Sequence, residues 1–171
     1  MQTVKINWFL RAGIGLLAIA LVLVVYAAIH ERIVEAGDSA PDFTVTTDAG
    51  RAISVSKFGG KLLVLNFWAS WCQPCIEETP SLSAFAEQYA DKGVVVLAVS
   101  VDKDEQAYRK FVEKFRPAFL TAHDLKVHED YGTFAYPESY IIDASGKVLR
   151  KYVEPKNWMN PDVISDITSL L

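Results

Sequence analysis

Cysteine is nearly absent from this chain: two in 171 residues, at positions 72 and 75. That scarcity excludes a multi-disulfide scaffold, and one bond closing so short a loop restrains little of the unfolded chain. A structural zinc site needs two further ligands. Histidine is almost as scarce, with only His30, His123 and His128. The last two stand far past Cys75 with no second cysteine pair beside them, so zinc-finger spacing is missing. No run of Lys and Arg occurs, and 17 basic against 21 acidic residues leave a net charge of −4. Nucleic acid therefore has no basic face to bind. Internal repeats, low-complexity tracts and glycine-rich phosphate loops are also missing.

There is, by contrast, one long apolar run. From Ala12 to Ile29 no residue is charged, which approaches the roughly 20 residues that cross a bilayer as a helix. Lys5 and Arg11 precede it, with Trp8, Phe9 and Tyr26 at the places interfacial aromatics take. Positive residues stay inside, so the expectation is a cytoplasmic N-terminus over residues 1–11 and a single transmembrane anchor over 12–29. A linker over 30–36 then leads to an extracytoplasmic domain over 37–171, placing the protein in the cell (inner) membrane with the domain on the periplasmic side. A cleaved signal peptide is the competing reading, with Ala27 and Ala36 as candidate cut sites, but the apolar core exceeds the usual 7–15 residues.

Past the linker the pattern alternates between strands and helices. Residues 43–46 and 52–55 read as short strands around the turn at Asp48-Ala49-Gly50. Residues 62–67 form a continuous apolar run, as in a strand buried on both faces. A helix to about Tyr89 follows, with Leu82, Phe85, Ala86 and Tyr89 on one side and a kink expected at Pro80. Residues 94–99 read as a second buried strand and 104–115 as a second helix. A short piece near 118–121 and a brief helix near 125–131 precede a hairpin over 139–142 and 147–153. Asn160 and Pro161 supply an N-cap and first-turn proline for a final helix. The whole predicts an α/β fold with a central mixed sheet and flanking helices.

The two cysteines fall where the first long strand turns into a helix, in Trp71-Cys72-Gln73-Pro74-Cys75. Unpaired backbone N–H groups and the positive helix end meet there and stabilise a thiolate. Two thiols so close also close into a disulfide by exchange. The spacing therefore points to a thiol–disulfide redox centre.

The segment Phe67-Trp68-Ala69-Ser70-Trp71-Cys72-Gln73-Pro74-Cys75, with Pro80 behind it and Tyr136-Pro137 before a strand, resembles the thioredoxin fold. Ala40-Pro41-Asp42-Phe43 ahead of an extra N-terminal hairpin, together with the anchor, narrows the resemblance to the TlpA/ResA/CcmG family of anchored extracytoplasmic thiol–disulfide oxidoreductases. It implies that Cys72 is the exposed attacking cysteine, Cys75 the recessed resolving one and Pro137 a cis-proline. Trp71, Gln73, Pro74, Tyr136 and Glu138 are implied as the substrate face. Classical thioredoxins carry a buried aspartate where this chain has Asn66; Glu78, one turn past Cys75, stands where the family places its acid and is implied as the proton carrier. No dissociable cofactor is implied. The implied partners are disulfide-containing extracytoplasmic proteins, apocytochrome c among them, and a membrane electron donor that restores the dithiol.

Two rivals share parts of this pattern. A peroxiredoxin also opens with Ala-Pro-Asp-Phe, but its reactive cysteine needs Thr or Ser three residues earlier, and this chain has Ala69 there. A membrane-anchored copper metallochaperone of the Sco type has the same fold and topology. It separates its cysteines by three residues rather than two and adds a histidine, for which His123 and His128 are the candidates.

Overall fold

The computed structural model describes the backbone of residues 2–29 and 33–171, and the side chains of residues 11–26 and 33–171. The chain divides into two units, Met1–Ile33 and Val34–Leu171. The first is a helix, α1 (Gln2–Ile29). Its described apolar side chains are exposed on every side, Ile14 by 65% and Leu17 by 72%. Among the described residues no helix is long and apolar enough to cross a membrane. The predicted span 12–29 runs past the described side chains, as do much of the N-terminal segment 1–11 and the start of the linker 30–36.

The second unit carries the strands and the remaining helices. In chain order these are β1 (Thr44–Thr46), β2 (Ala52–Ser54), β3 (Leu62–Trp68), α2 (Gln73–Tyr89), β4 (Val94–Ser100), α3 (Glu105–Phe115), β5 (Leu120–His123), α4 (Val127–Asp130), β6 (Glu138–Asp143), β7 (Val148–Tyr152) and α5 (Pro161–Thr168). β1 and β2 form an antiparallel hairpin, and the other strands form one sheet in the order β5-β4-β3-β6-β7. β3 is parallel to β4 and β4 to β5, whereas β6 runs antiparallel to both β3 and β7. This is the predicted mixed sheet with an extra N-terminal hairpin.

Every residue of β3 is buried, as a central strand covered on both faces requires. Its side chains alternate across the pleat. Leu63, Leu65 and Phe67 pack with Phe43, Val45 and Ile53 of the hairpin region and with Val127 and Tyr131. Leu62 and Val64 pack with Leu82 and Phe85 of α2 and with Trp158 and Ile167. Each such side chain contributes roughly 1.5–3 kcal/mol by leaving water. A third cluster lies at the end of β3, where Trp68, Cys72 and Cys75 meet Tyr108 and Phe111 of α3. The redox pair thus belongs to a packed region.

Two details place β3 and the sheet edges. Ahead of β3, a Cβ on Gly60 would fall 2.6 Å from the carbonyl oxygen of Gly93, so only glycine permits the backbones to meet there. The N-terminal segment of this unit reaches both sheet edges. At β7, Gly37 donates to the Val148 carbonyl at 2.8 Å and Val148 donates to that of Asp38 at 2.9 Å; at β5, Asp48 donates to the Thr121 carbonyl at 2.9 Å.

Several boundaries move from the predicted ones. The piece expected near 118–121 is β5 at 120–123, and the last helix stops at Thr168. α2 continues through Pro80. That proline has no N–H to offer the Ile76 carbonyl one turn back, yet the helix runs on for more than two turns.

Candidate functional site

Cys72 is the N-cap of α2, with extended backbone, and Gln73 and Pro74 open the helix. Proline is tolerated in a first turn because its missing N–H would have had no partner there. Cys72 and Cys75 form a disulfide with Cα atoms 5.3 Å apart. The Cys75 N–H points at the Cys72 sulfur at 3.3 Å, and the Ile76 N–H donates to the Cys72 carbonyl at 3.1 Å. An amide aimed at the sulfur stabilises negative charge on it once the disulfide opens.

Burial corrects one expectation. Cys72 is 5% exposed and Cys75 2%, so the first cysteine is nearly as covered as the second. Its cover is the segment around Pro137. The Tyr136–Pro137 peptide bond is cis, and the Tyr136 carbonyl oxygen lies 3.4 Å from the Cys72 sulfur. In the dithiol form that oxygen is an acceptor for the Cys72 S–H.

Trp71 is 67% exposed and meets the Tyr136 ring edge-to-face at 6.0 Å. A groove of about 520 Å³ opens there, lined by Trp71, Tyr136 and His128 together with Val101, Lys103 and Ala107. Gln73 and Pro74 are exposed, and Gln73 donates to Glu77 at 2.9 Å on the helix surface.

Glu78 is buried on α2, one turn beyond Cys75. Its Oε1 accepts from the Asn66 amide at 2.9 Å and its Oε2 from the Lys156 N–H at 3.0 Å. Burial raises its pKa from 4.5 to about 7, against the opposing pull of the Lys156 N–H and Asn66. The Trp158 indole acts in the same direction as those donors without forming a hydrogen bond. A cleft of about 380 Å³, bounded by Pro80, Ser81 and residues 155–157, reaches Glu78. A carboxyl that titrates near neutrality beside a buried thiol can accept and return a proton.

Glu138 is placed differently. It is 4% exposed, and its Oε1 accepts from Thr133 at 2.8 Å and from the Tyr140 hydroxyl. Lys151 stands 3.7 Å from the same oxygen and 3.0 Å from Glu35. The strand pleat turns this carboxylate into the core beneath the Pro137 loop, so the structure does not bring it to the substrate face with Trp71 and Tyr136. The histidines weighed for copper have hydrogen-bond partners other than the cysteines. The His123 Nε2 lies 2.6 Å from the Asp102 carbonyl, and the His128 Nδ1 lies near the Thr133 carbonyl and the Tyr136 hydroxyl.

Two participants escape a reading of the sequence alone. Asn66 donates to both Glu78 and Ser139, each at 2.9 Å, and so seats the acid from the position where an aspartate was noted as missing. Asp102 binds Ser70, two residues before Cys72. Only the parallel pairing of β3 with β4 could have signalled the second contact.

The model of the family described as Redoxin matches residues 35–168. The chain belongs to the Redoxin family. It is 36% identical over 123 residues to the thiol-disulfide oxidoreductase ResA of Bacillus thuringiensis subsp. konkukian, with 71% of each chain covered. It is also 36% identical over 118 residues to the thioredoxin-like protein YneN of Bacillus subtilis, covering 67% of this chain and 69% of that one. Among solved structures, a thiol:disulfide interchange protein of the DsbE type from Chlorobium tepidum superposes with a TM-score of 0.72 at 31% identity, over 81% of this chain and 98% of that one. The resemblance to the ResA and CcmG group is borne out in family, in the thioredoxin-like α/β fold and in enzyme class, thiol–disulfide oxidoreductase.

Proposed function

We propose that this Redoxin-family protein is a protein-disulfide reductase working outside the cytoplasm, held to the membrane by α1 and acting on substrates such as apocytochrome c during cytochrome c maturation. The observation that carries the reading is the joint placement of the Cys72–Cys75 pair at the start of α2, the Tyr136 carbonyl against Cys72, and Glu78 buried one turn below Cys75. The groove beside Trp71 and Tyr136 suits a segment of unfolded polypeptide. The anchor rests on the charge-free stretch and on a helix whose described apolar side chains are exposed.

The reaction follows from thiol exchange. In the dithiol form the Cys72 thiolate attacks one sulfur of the partner disulfide; the other partner sulfur leaves as a thiolate and takes a proton from solvent. Cys75 gives its proton to Glu78 and attacks the Cys72 sulfur of the mixed disulfide. The partner's second sulfur leaves, is protonated, and the Cys72–Cys75 disulfide forms. The partner gains two electrons and two protons, and a membrane dithiol donor returns the same number to the pair.

The test is the reduction potential of the full-length chain, equilibrated in thiol buffers at pH 7. A value near or below about −270 mV, the thioredoxin range, is expected. A value near about −120 mV, that of a strong oxidant, would reverse the direction of electron flow and sink the reductase reading.

A further inference from the structure

Asp102 is a buried ionisable group that the chemistry above leaves without a task. It lies just past the end of β4 and is 1% exposed. Its Oδ2 accepts from the Ser70 N–H at 2.8 Å and the Ser100 hydroxyl at 2.7 Å, and its Oδ1 from the Ser70 hydroxyl at 2.7 Å. Three donors on two oxygens is the pattern an ionised carboxylate takes. Among the described residues no cation pairs with it. A buried charge held only by neutral donors is costly, and its position relative to the redox pair shows what it does.

Two of the three donors belong to Ser70, and the remaining bonds fix the same turn. The Val101 N–H donates to the Trp68 carbonyl at 2.9 Å and the Cys72 N–H to that of Ala69 at 3.1 Å. Asp102 is itself held, with its N–H on the Ser100 hydroxyl at 3.1 Å and its carbonyl against His123. From Ser70 to Cys72 the chain spans at most about 7 Å. The carboxylate therefore stands within roughly 10 Å of the Cys72 backbone, comparable to the Debye length of about 8–10 Å, in a region screened less than the surface.

We propose that Asp102 is a positioning residue of the redox centre: through Ser70 it fixes the turn that carries Trp71 and Cys72, and its cation-free charge opposes formation of the Cys72 thiolate. The inference rests on the redox reading of Cys72 and Cys75. Like charge disfavours a thiolate, whereas the first turn of α2 favours it. Asp102 is thus the counterweight to the helix end. A less stable thiolate makes the disulfide harder to reduce, since a stabilised reduced form is what makes a strong oxidant. The other ionisable groups near this turn are Lys103, Asp104 and His128 at the groove, Tyr136 against Cys72 and Trp71, Tyr108 beside Trp68, His123 on the Asp102 carbonyl, and Glu77 and Glu78 on α2; the variants below keep all of them.

Two substitutions in the full-length chain separate charge from shape. Asp102→Asn removes the charge, while Ser70→Ala removes one donor and leaves the charge less neutralised. The readouts are the pH profile of Cys72 alkylation, followed by mass spectrometry, and the equilibrium with glutathione. Asp102→Asn is expected to shift the alkylation profile to lower pH and the equilibrium about tenfold toward the dithiol, about 30 mV. Ser70→Ala is expected to shift both the opposite way. Shifts of the same sign in the two variants, or no shift, would leave Asp102 a purely structural residue and overturn the inference. If Asp102→Asn does not fold, Ser70→Ala decides alone: an unchanged profile, or one moved to lower pH, overturns it. A wild-type chain that fails to exchange with glutathione would instead overturn the redox reading beneath it.

Discussion

Glu78 is an acid seated among neutral donors, and burial holds its proton to about pH 7. In the unfolded chain the same group titrates near 4.5. The folded state therefore binds more protons than the unfolded state between those values, and its stability falls as pH rises through that window. Glu78→Gln removes this dependence. Urea unfolding of the wild type at pH 5 and at pH 7.5 should differ by up to about 2.4 kcal/mol more than in the variant; parallel curves for the two proteins would refute the raised pKa. The same substitution should slow release of the mixed disulfide and spare its formation, because only the second attack uses this carboxyl. A position three residues past Cys75 is legible in a sequence, and so is the chemistry of an acid placed there. The partners are not. Asn66 and Glu78 meet because a strand and the helix after it pack face to face, and no periodicity encodes which polar atoms will touch. Glu138 shows the opposite outcome: its neighbour Pro137 marks the site, yet the pleat sends its carboxylate to Thr133, Tyr140 and Lys151.

Among the elements, the hairpin of β1 and β2 is held by its apolar contacts and by one carboxylate. Asp48, in the hairpin turn, accepts from Thr121 of β5 at 2.7 Å and from the Tyr108 hydroxyl of α3. Burial and this contact together push the Tyr108 pKa up, so the phenol stays a donor throughout the physiological range. Asp48→Ala leaves two partly buried hydroxyls without their acceptor, a loss of roughly 2–4 kcal/mol at about 1–3 each less what solvent recovers. Chemical denaturation should show that fall; a loss below about 0.5 kcal/mol would mean that the hairpin is held by its apolar contacts alone. The strands themselves were open to sequence reading where apolar runs are continuous, as in β3 and β4, and their ends shift by a residue. β5 was legible only as an unassigned short piece near 118–121, because Leu-Thr-Ala-His is short, mixes apolar with polar residues and takes its strand form from pairing with β4. The exposed Cys72 was implied by the family resemblance alone; the loop that covers it here arrives from 64 residues away.

At the scale of the whole molecule, the two units set a testable division. If α1 is the anchor, the full-length chain should float with phospholipid vesicles and resist alkaline extraction, and protease added outside should digest Val34–Leu171 while sparing the helix. Recovery of the intact chain in the aqueous fraction would remove the anchor from the proposal. The sheet of the second unit has a property of its own. Its outer strands, β5 and β7, are each interrupted by the N-terminal segment, through Asp48 at one edge and through Gly37 and Asp38 at the other. A bare edge is a template on which any extended chain can add a strand. Under the proposed function the clients are unfolded polypeptides, which carry strand-forming stretches of their own. With both edges interrupted, such a client would find less bare edge to join, so release after reduction would compete less with co-aggregation.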